Sequence, residues 1–289
     1  MTGFFNVYKE AGYTSHDVVA IIRRLTRGKV GHTGTLDPQA EGVLPICLGR
    51  ATKLADYVMG QDKSYIAEVM LGVITDTGDM TGQVLSQAPV NQSESVILET
   101  VKKFCGKQMQ LPPMYSAIKI GGKKLYELAR KGETVERKPR EVYIESIKIL
   151  DFKLAENKFT VDVTCSKGTY IRSLCMDIGE ALGCGAAMGS LLRTRSGGFS
   201  LDTAYKINEV KEAAANGSLS DMILDAEKVL PYPRVYVQPE GLTMARNGNP
   251  LPLELLDKAP TTKVWLHGSG GLIGLFSESN GMLRLEVMM

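Results

Sequence analysis

Along this chain, apolar residues spaced two apart give way to apolar residues spaced three and four apart, and back again. Residues 3–9 alternate as a short strand. Val18, Ile21, Ile22 and Leu25 then recur at helical spacing, with Ser15 as the cap and Arg23, Arg24 and Arg27 on the polar side. Thr52 to Met59 predicts a short helix closed by Gly60. Lys63 to Gly72 alternates once more, so that Tyr65, Ala67, Val69 and Leu71 share one face of a half-buried strand. A helix is expected over Ser93 to Phe104, with Ile97, Leu98, Val101 and Phe104 inward and Gly106 as its stop. Val142, Ile144, Ile147 and Ile149 mark another strand, and Phe159, Val161, Val163 and Cys165 the next. A helix follows Lys167-Gly168, running through Ile178 and Leu182 to Gly183. Two polar helical stretches, 207–217 and 220–230, end where the composition shifts at Pro231-Tyr232-Pro233. The remaining 57 residues hold the apolar runs Val264–Leu266 and Leu272–Phe276, then an Asn280-Gly281 hairpin signal ahead of Leu283, Leu285 and Val287. The chain thus divides into residues 1–232 and a smaller β-rich unit, 233–289.

Composition adds limits. At 289 residues and 44% hydrophobic, the chain can bury a full core. Its net charge of +2 advertises no polyanionic partner, but the charge is unevenly placed. Between Lys102 and Lys148 there are 12 basic and 5 acidic residues. That excess makes the region around 105–140, which reads as a basic insertion, a patch suited to the phosphates of a polyanion. The five cysteines form no C-x-x-C pair, so neither a disulfide framework nor a zinc site is expected. The Thr75-Asp76-Thr77-Gly78-Asp79 stretch lacks the oxygen ligands of a calcium loop and reads as a turn. The start has no signal-peptide pattern, and no apolar run is long enough to span a membrane. A reduced, cytoplasmic protein that binds no metal and no membrane is expected.

The chemistry concentrates in Lys29-Val30-Gly31-His32-Thr33-Gly34-Thr35-Leu36-Asp37-Pro38. Its glycines permit tight turns, and Pro38 biases Asp37 toward an extended backbone. The segment resembles the catalytic loop of the TruB family of tRNA pseudouridine synthases, G-H-x-G-x-L-D-P, whose aspartate is the nucleophile. Three more segments resemble that family in the same order: Lys63-Ser64-Tyr65, the Pro112 to Lys119 stretch of the form P-P-x-Y-S-A-x-K, and Gly168-Thr169-Tyr170-Ile171-Arg172-Ser173-Leu174. Ala186 to Ser200, with Leu191, is similar to a further family segment. In one place the likeness lapses: a Lys-Pro pair is usual near the start, and here Glu10 follows Lys9, so Lys9 is left out of the expected site.

The resemblance implies an α+β pseudouridine synthase fold, a mixed and largely antiparallel central sheet flanked by helices, with a small C-terminal β-barrel of the PUA kind. It implies isomerisation of uridine 55 in the T-loop of tRNA by a monomer without a cofactor. Asp37 would be the nucleophile, and Arg172 would pair with it. Tyr65 would stack on the everted uracil, Tyr170 and Leu191 would line its pocket, and His32 would fill the space the base vacates. That assignment agrees with elementary chemistry. Moving the ribose from N1 to C5 needs no redox change, only a nucleophile, a closed pocket and a proton acceptor. An ionised carboxylate serves at neutral pH, and a guanidinium offsets the rise in pKa that burial imposes. From residue types alone His32 could instead be a general base. Tyr65 on the apolar face of its strand reads as a core aromatic, Arg172 at a helix start as a surface residue, and Trp265 and His267 as packing and surface residues. Two other classes fit less well. A non-catalytic RNA-folding protein has no need of Asp37, Tyr65 and Arg172 together, and an aspartate-dependent hydrolase needs a second carboxylate or a metal.

Overall fold

The computed structural model describes residues 1–116, 118–133 and 135–289; Ala117, within the P-P-x-Y-S-A-x-K segment, lies outside them. Its centre is a ten-stranded sheet. Eight strands follow one another across it: Tyr205–Lys206, Gly3–Lys9, Glu41–Leu48, Ala186–Ser196, Lys63–Leu71, Lys158–Cys165, Arg140–Lys153 and Gly106–Gln110. The other two, Val30–His32 and Phe199–Ser200, pair on Glu41–Leu48 and Ala186–Ser196. Pairing is antiparallel except where Tyr205–Lys206 meets Gly3–Lys9 and where Ala186–Ser196 meets Glu41–Leu48. This is the mixed, largely antiparallel sheet that was expected.

The apolar stripes read from the sequence find their faces. Tyr65, Ala67, Val69 and Leu71 all lie in one core with Phe159, Val161, Val163 and Cys165, beneath the helix Ile171–Ala181. Val142 and Ile144 are two residues apart, but Ile147 comes three later, which a regular strand would turn to the other face. A register shift between Ile144 and Ser146 restores the face, and Ile147 is buried. On another part of the sheet, Val18 and Ile22 of the helix Ser15–Thr26 are fully buried with Ile207 and Val210 of Ile207–Asn216. Each such side chain contributes roughly 1.5–3 kcal/mol of transfer free energy.

Three local readings need correction. The stretch 220–230 is not one helix: a 3-10 turn, Leu219–Met222, and a short helix, Ala226–Val229, are separated by non-helical residues. Thr14, not Ser15, caps the first helix, in a capping box with Asp17, and this frees the Ser15 hydroxyl for another use. In the helix Glu94–Lys102, Ile97 and Val101 face inward, whereas Leu98 is 39% exposed. Its neighbour Ile97 takes the inward-facing row at that level of the helix.

The C-terminal residues form a five-stranded sheet ordered Arg234–Tyr236, Val264–Gly268, Gly271–Ser279, Met282–Met288 and Leu251–Pro252. A bridge from Val237 to Leu256 draws the continuations of its two edges together and curls it into a half-barrel. Asn280 and Gly281 both have positive φ (56° and 72°), the conformation the Asn-Gly signal predicted. Trp265 is fully buried and packs with Leu275 and Val287 against Phe4, Cys47 and Leu54 of the larger sheet's side, its indole N–H donating to the Leu230 carbonyl at 2.7 Å. His267 is not on the surface: its side chain is 13% exposed and its Nε2 lies 2.9 Å from Glu227, a carboxylate on the helix Ala226–Val229 that the sequence gives no reason to place there.

Candidate active site

The loop bearing Asp37 is held from four directions. Thr33 is buried, and its backbone N–H donates to the Pro45 carbonyl at 3.0 Å. The freed Ser15 hydroxyl donates to the Leu36 carbonyl (3.1 Å) and accepts from the Leu36 N–H (2.9 Å). Lys9, fully buried, donates its ammonium to the carbonyls of Glu10, Tyr13 and Pro38 at 3.2, 2.7 and 3.1 Å. Burial lowers its pKa to about 8. Finally Arg193, only 2% exposed, donates from Nε to the Val43 carbonyl (2.7 Å) and from Nη2 to the Gly34 carbonyl (3.1 Å). The crossing at Gly42 is tight: a Cβ there would lie 2.2 Å from the Arg193 carbonyl oxygen, at a φ of +105°. Only glycine fits.

Arg172 is held just as firmly. It sits in the first turn of Ile171–Ala181, 5% exposed, and donates to Asp37 Oδ2 at 3.0 Å, to the Tyr115 carbonyl at 2.7 Å and to the Thr77 carbonyl at 3.1 Å. Its Nε also lies 3.8 Å from Asp79 Oδ2. The start of this helix is clamped by Gln110, whose amide accepts from the Tyr170 N–H (2.7 Å) and donates to the Tyr170 carbonyl (3.0 Å). Ser173 adds a bond to the Leu111 carbonyl, so the Pro112-Pro113 stretch is anchored beside the same turn. Burial raises the pKa of Asp37 and Arg172 opposes that rise, while the nearby charge of Asp79 adds to it. The net direction is upward, in a side chain still 40% open to the cleft.

Asp37 and Arg172 form the ridge between two lobes of a cleft. The first, of about 580 Å³, is also lined by Tyr65, Tyr170, Leu191, Lys63 and Arg193. Tyr65 is 8% exposed, and burial raises its phenol pKa. The second, of about 610 Å³, contains His32, His16, Asp79, Lys124, Tyr126 and Arg130. Five of the six expected residues therefore meet in the first lobe, and His32 lies across the Asp37 ridge from Tyr65. The Gly34 N–H donates to His32 Nδ1 at 3.3 Å, which leaves the ring proton on Nε2. A neutral imidazole in that tautomer offers a donor, not a base. Burial lowers its pKa further, with His16 and Arg193 acting in the same direction.

Four residues of the site escape sequence reasoning. Lys9 falls outside the expected set because the usual proline after it is missing, yet its ammonium is what ties Pro38 down. Asp79 reads from sequence only as part of a turn. It does form one, accepting from the Thr77 hydroxyl and the Thr81 N–H, and its other oxygen faces Arg172. Arg193 and Gln110 leave no pattern by which their partners, backbone groups distant in sequence, could be named. Among the described residues no group of three or more His, Cys, Asp or Glu side chains is arranged to hold a metal ion, and no helix is long and apolar enough to cross a membrane.

Comparison with known proteins gives the same direction. Residues 23–171 match the model of the TruB family pseudouridylate synthase N-terminal domain, and residues 172–231 that of the tRNA pseudouridylate synthase B C-terminal domain. The chain is 51% identical over 233 residues to tRNA pseudouridine synthase B of Alkaliphilus oremlandii (strain OhILAs), covering 80% of this chain and 76% of that one. It is 42% identical over 286 residues to tRNA pseudouridine synthase B of Pelotomaculum thermopropionicum, covering 95% and 90%. Among solved structures, a chain of a Cbf5-Nop10-Gar1 complex superposes with a TM-score of 0.75 at 27% identity, covering 99% of this chain and 84% of that one. With its fold, its ridge of Asp37 and Arg172 and these matches, the chain belongs to the TruB family of pseudouridylate synthases.

Proposed function

We propose that this enzyme converts uridine to pseudouridine at position 55 in the T-loop of tRNA, with Asp37 as the nucleophile. The observation that carries the reading is the buried Arg172 held 3.0 Å from an Asp37 carboxylate that still opens into the lobe of Tyr65. A carboxylate kept ionised by a fixed guanidinium and left accessible on one side is equipped to attack carbon. The everted uracil stacks on Tyr65, with Tyr170 and Leu191 closing the lobe around it. Stacking on an aromatic side chain offsets about 1–3 kcal/mol of the few kcal/mol that extrusion of a base costs.

The net change in bonding is simple. The N1–C1′ bond breaks, C5 bonds to C1′, C5 loses a proton and N1 gains one. No cofactor or co-substrate is consumed. His32, with its proton on Nε2, takes the place the base leaves in the RNA stack and does not move a proton. Residues 1–232 carry the chemistry. The second lobe and the basic segment beside it hold the RNA backbone: Lys124 and Arg130 line that lobe with their cations over the Tyr126 ring at 5.3 and 5.5 Å. Residues 233–289 add affinity for the rest of the tRNA.

Incubation with unmodified tRNA, the isolated T-arm hairpin and ribosomal RNA fragments, with mapping of any pseudouridine, tests the substrate. Modification is expected at uridine 55 of the tRNA and, more slowly, of the hairpin. Modification confined to ribosomal RNA would overturn the substrate assignment, and binding without isomerisation would favour an RNA-folding role.

A further inference from the structure

The floor of the first lobe carries two cations that no ion pair balances among the described residues. Lys63 and Arg193 are 7% and 2% exposed, and both line the lobe with Tyr65. Strand pairing sets Arg193 directly opposite Tyr65, while Lys63 lies two residues before it on the same face. Yet their partners are neutral: the backbone carbonyls of Met59 and Gln61 for Lys63, and those of Val43 and Gly34 for Arg193. The Tyr65 phenol, which Arg193 also approaches, stays protonated because burial raises its pKa. Neither cation forms an ion pair among the described residues. Burying two cations side by side without a counter-ion costs several kcal/mol per ion unless something anionic enters. The groups facing Lys63 are Arg193 on the adjoining strand, Lys167 in the turn after Cys165, the Cys165 thiol itself and Asp62 ahead of the strand. Two of the four are cations, and the only carboxylate among them, Asp62, is exposed.

We propose that Lys63 and Arg193 form an electrostatic floor for the uracil, taking up the negative charge that develops on the ring while its bond to ribose is exchanged. The proposal rests on the reading that this lobe holds the everted base. When the N1–C1′ bond breaks, its electron pair stays with the ring and spreads over N1, O2 and O4. If Asp37 adds first to C6, the charge spreads instead toward O4. Either route creates an anion in the lobe of Tyr65; C5 discharges it by bonding to C1′, the bond to Asp37 breaks to return the carboxylate, and the proton lost from C5 is balanced by one taken up at N1. An RNA phosphate is the other anion such cations could meet. But phosphates belong to the solvated backbone, where the exposed Lys167 and Arg140 on the rim serve them. The floor is where a planar base goes. Preorganised charge in a water-poor site is worth far more than the same charge in solvent. It also explains how detached uracil is kept from leaving: the anion is bound more tightly than the neutral base.

Lys63 is the better residue to test, because Arg193 also pins the loop of Asp37. Single-turnover rates of pseudouridine formation at saturating tRNA, dissociation constants and their salt dependence are measured for the wild type, Lys63→Met and Lys63→Arg. Lys63→Met should lower the saturated rate about 100-fold while leaving the dissociation constant within about twofold. Lys63→Arg should restore most of the rate. Burial and Arg193 lower the pKa of Lys63 to about 8, so the wild-type rate should fall as pH rises through that region, and the fall should be clearly smaller in Lys63→Arg, where only Lys9 still titrates there. A normal saturated rate with weaker binding and a shallower salt slope would assign the site to a phosphate and overturn the proposal. So would a loss that Lys63→Arg fails to restore, which would mean that Lys63 acts only by closing the end of the helix Ala55–Met59. A wild type that forms no pseudouridine would instead reject the parent reading.

Discussion

At the scale of single residues, the site is one carboxylate tuned by two opposed neighbours. Arg172 holds the charge of Asp37 on, and Asp79, on the far side of the same guanidinium, pushes it off. Because burial and Asp79 together raise the pKa of Asp37 above the usual ~3.9, the rate should climb with pH through a limb above that value. Asp79→Asn removes the like charge, so this acid limb should move to lower pH. The plateau should drop about tenfold, or about 1.4 kcal/mol, as Arg172 loses one anchor. A pH–rate profile of the variant checks both, and a limb that stays in place would show that Asp37 does not titrate there. Asp37, Tyr65, Tyr170, Arg172 and Leu191 could be named from the sequence because each sits in a motif. Lys9 drops out because Glu10 stands where a proline is usual; Gln110 and Arg193 could not be named, because they bind backbone carbonyls and amides, and every residue has those. A buried cation that bonds to main chain leaves no complementary side chain elsewhere in the sequence to betray it.

At the scale of elements, the alternating strands were legible, but the loops were not. Nor were two central strands: Glu41–Leu48, buried along nearly its whole length and so without alternation, and Ala186–Ser196. Two-residue alternation located Lys63–Leu71 and Lys158–Cys165 within a residue or two, since a sheet covered on one face enforces it. The loop of Asp37 has no periodicity, and its shape depends on bonds from Lys9, Ser15 and Arg193, none of them adjacent in sequence. Gly42 shows how little slack there is. Gly42→Ala should cost about 3 kcal/mol through its positive φ and the clash with the Arg193 carbonyl. The midpoint of denaturant unfolding reads that cost, and an unshifted midpoint would mean that the strand crossing is looser than described. The basic segment makes a separable prediction. Replacing Lys123, Lys124, Arg130 and Lys131 should weaken tRNA binding and flatten its salt dependence, by roughly 0.7–0.9 of a log unit of slope for each phosphate no longer neutralised. Turnover at saturating tRNA should change far less, because Lys124 and Arg130 line the second lobe and not the lobe of Tyr65 proposed to hold the base. An unchanged slope would return these side chains to the role of a solvated face.

At the scale of the whole molecule, the compositional break at Pro231 is not a break in the core. Trp265 is the chain's single tryptophan, and its burial joins the C-terminal sheet to Phe4, Cys47 and Leu54. Glu286 reinforces the joint: it accepts from Tyr57 at 2.7 Å and from Lys263 at 3.2 Å, and its pKa falls to about 2, chiefly through the Ser277 hydroxyl. Trp265→Ala should therefore cost about 3–5 kcal/mol and lower the melting temperature of the entire chain. Two separate transitions, with only one displaced, would show that the parts fold independently. Sequence pattern pointed to the C-terminal strands but not to this joint, since nothing in a tryptophan's neighbours says which distant face will cover it. The central claim, that Asp37 attacks the uridine that Tyr65 holds, meets its most direct test in Asp37→Asn, which is nearly isosteric. Pseudouridine formed at uridine 55 in a single turnover is measured for this variant and the wild type at saturating tRNA. The expected result is unaltered tRNA affinity and melting temperature with no detectable pseudouridine, whereas formation at a near-normal rate would contradict the account.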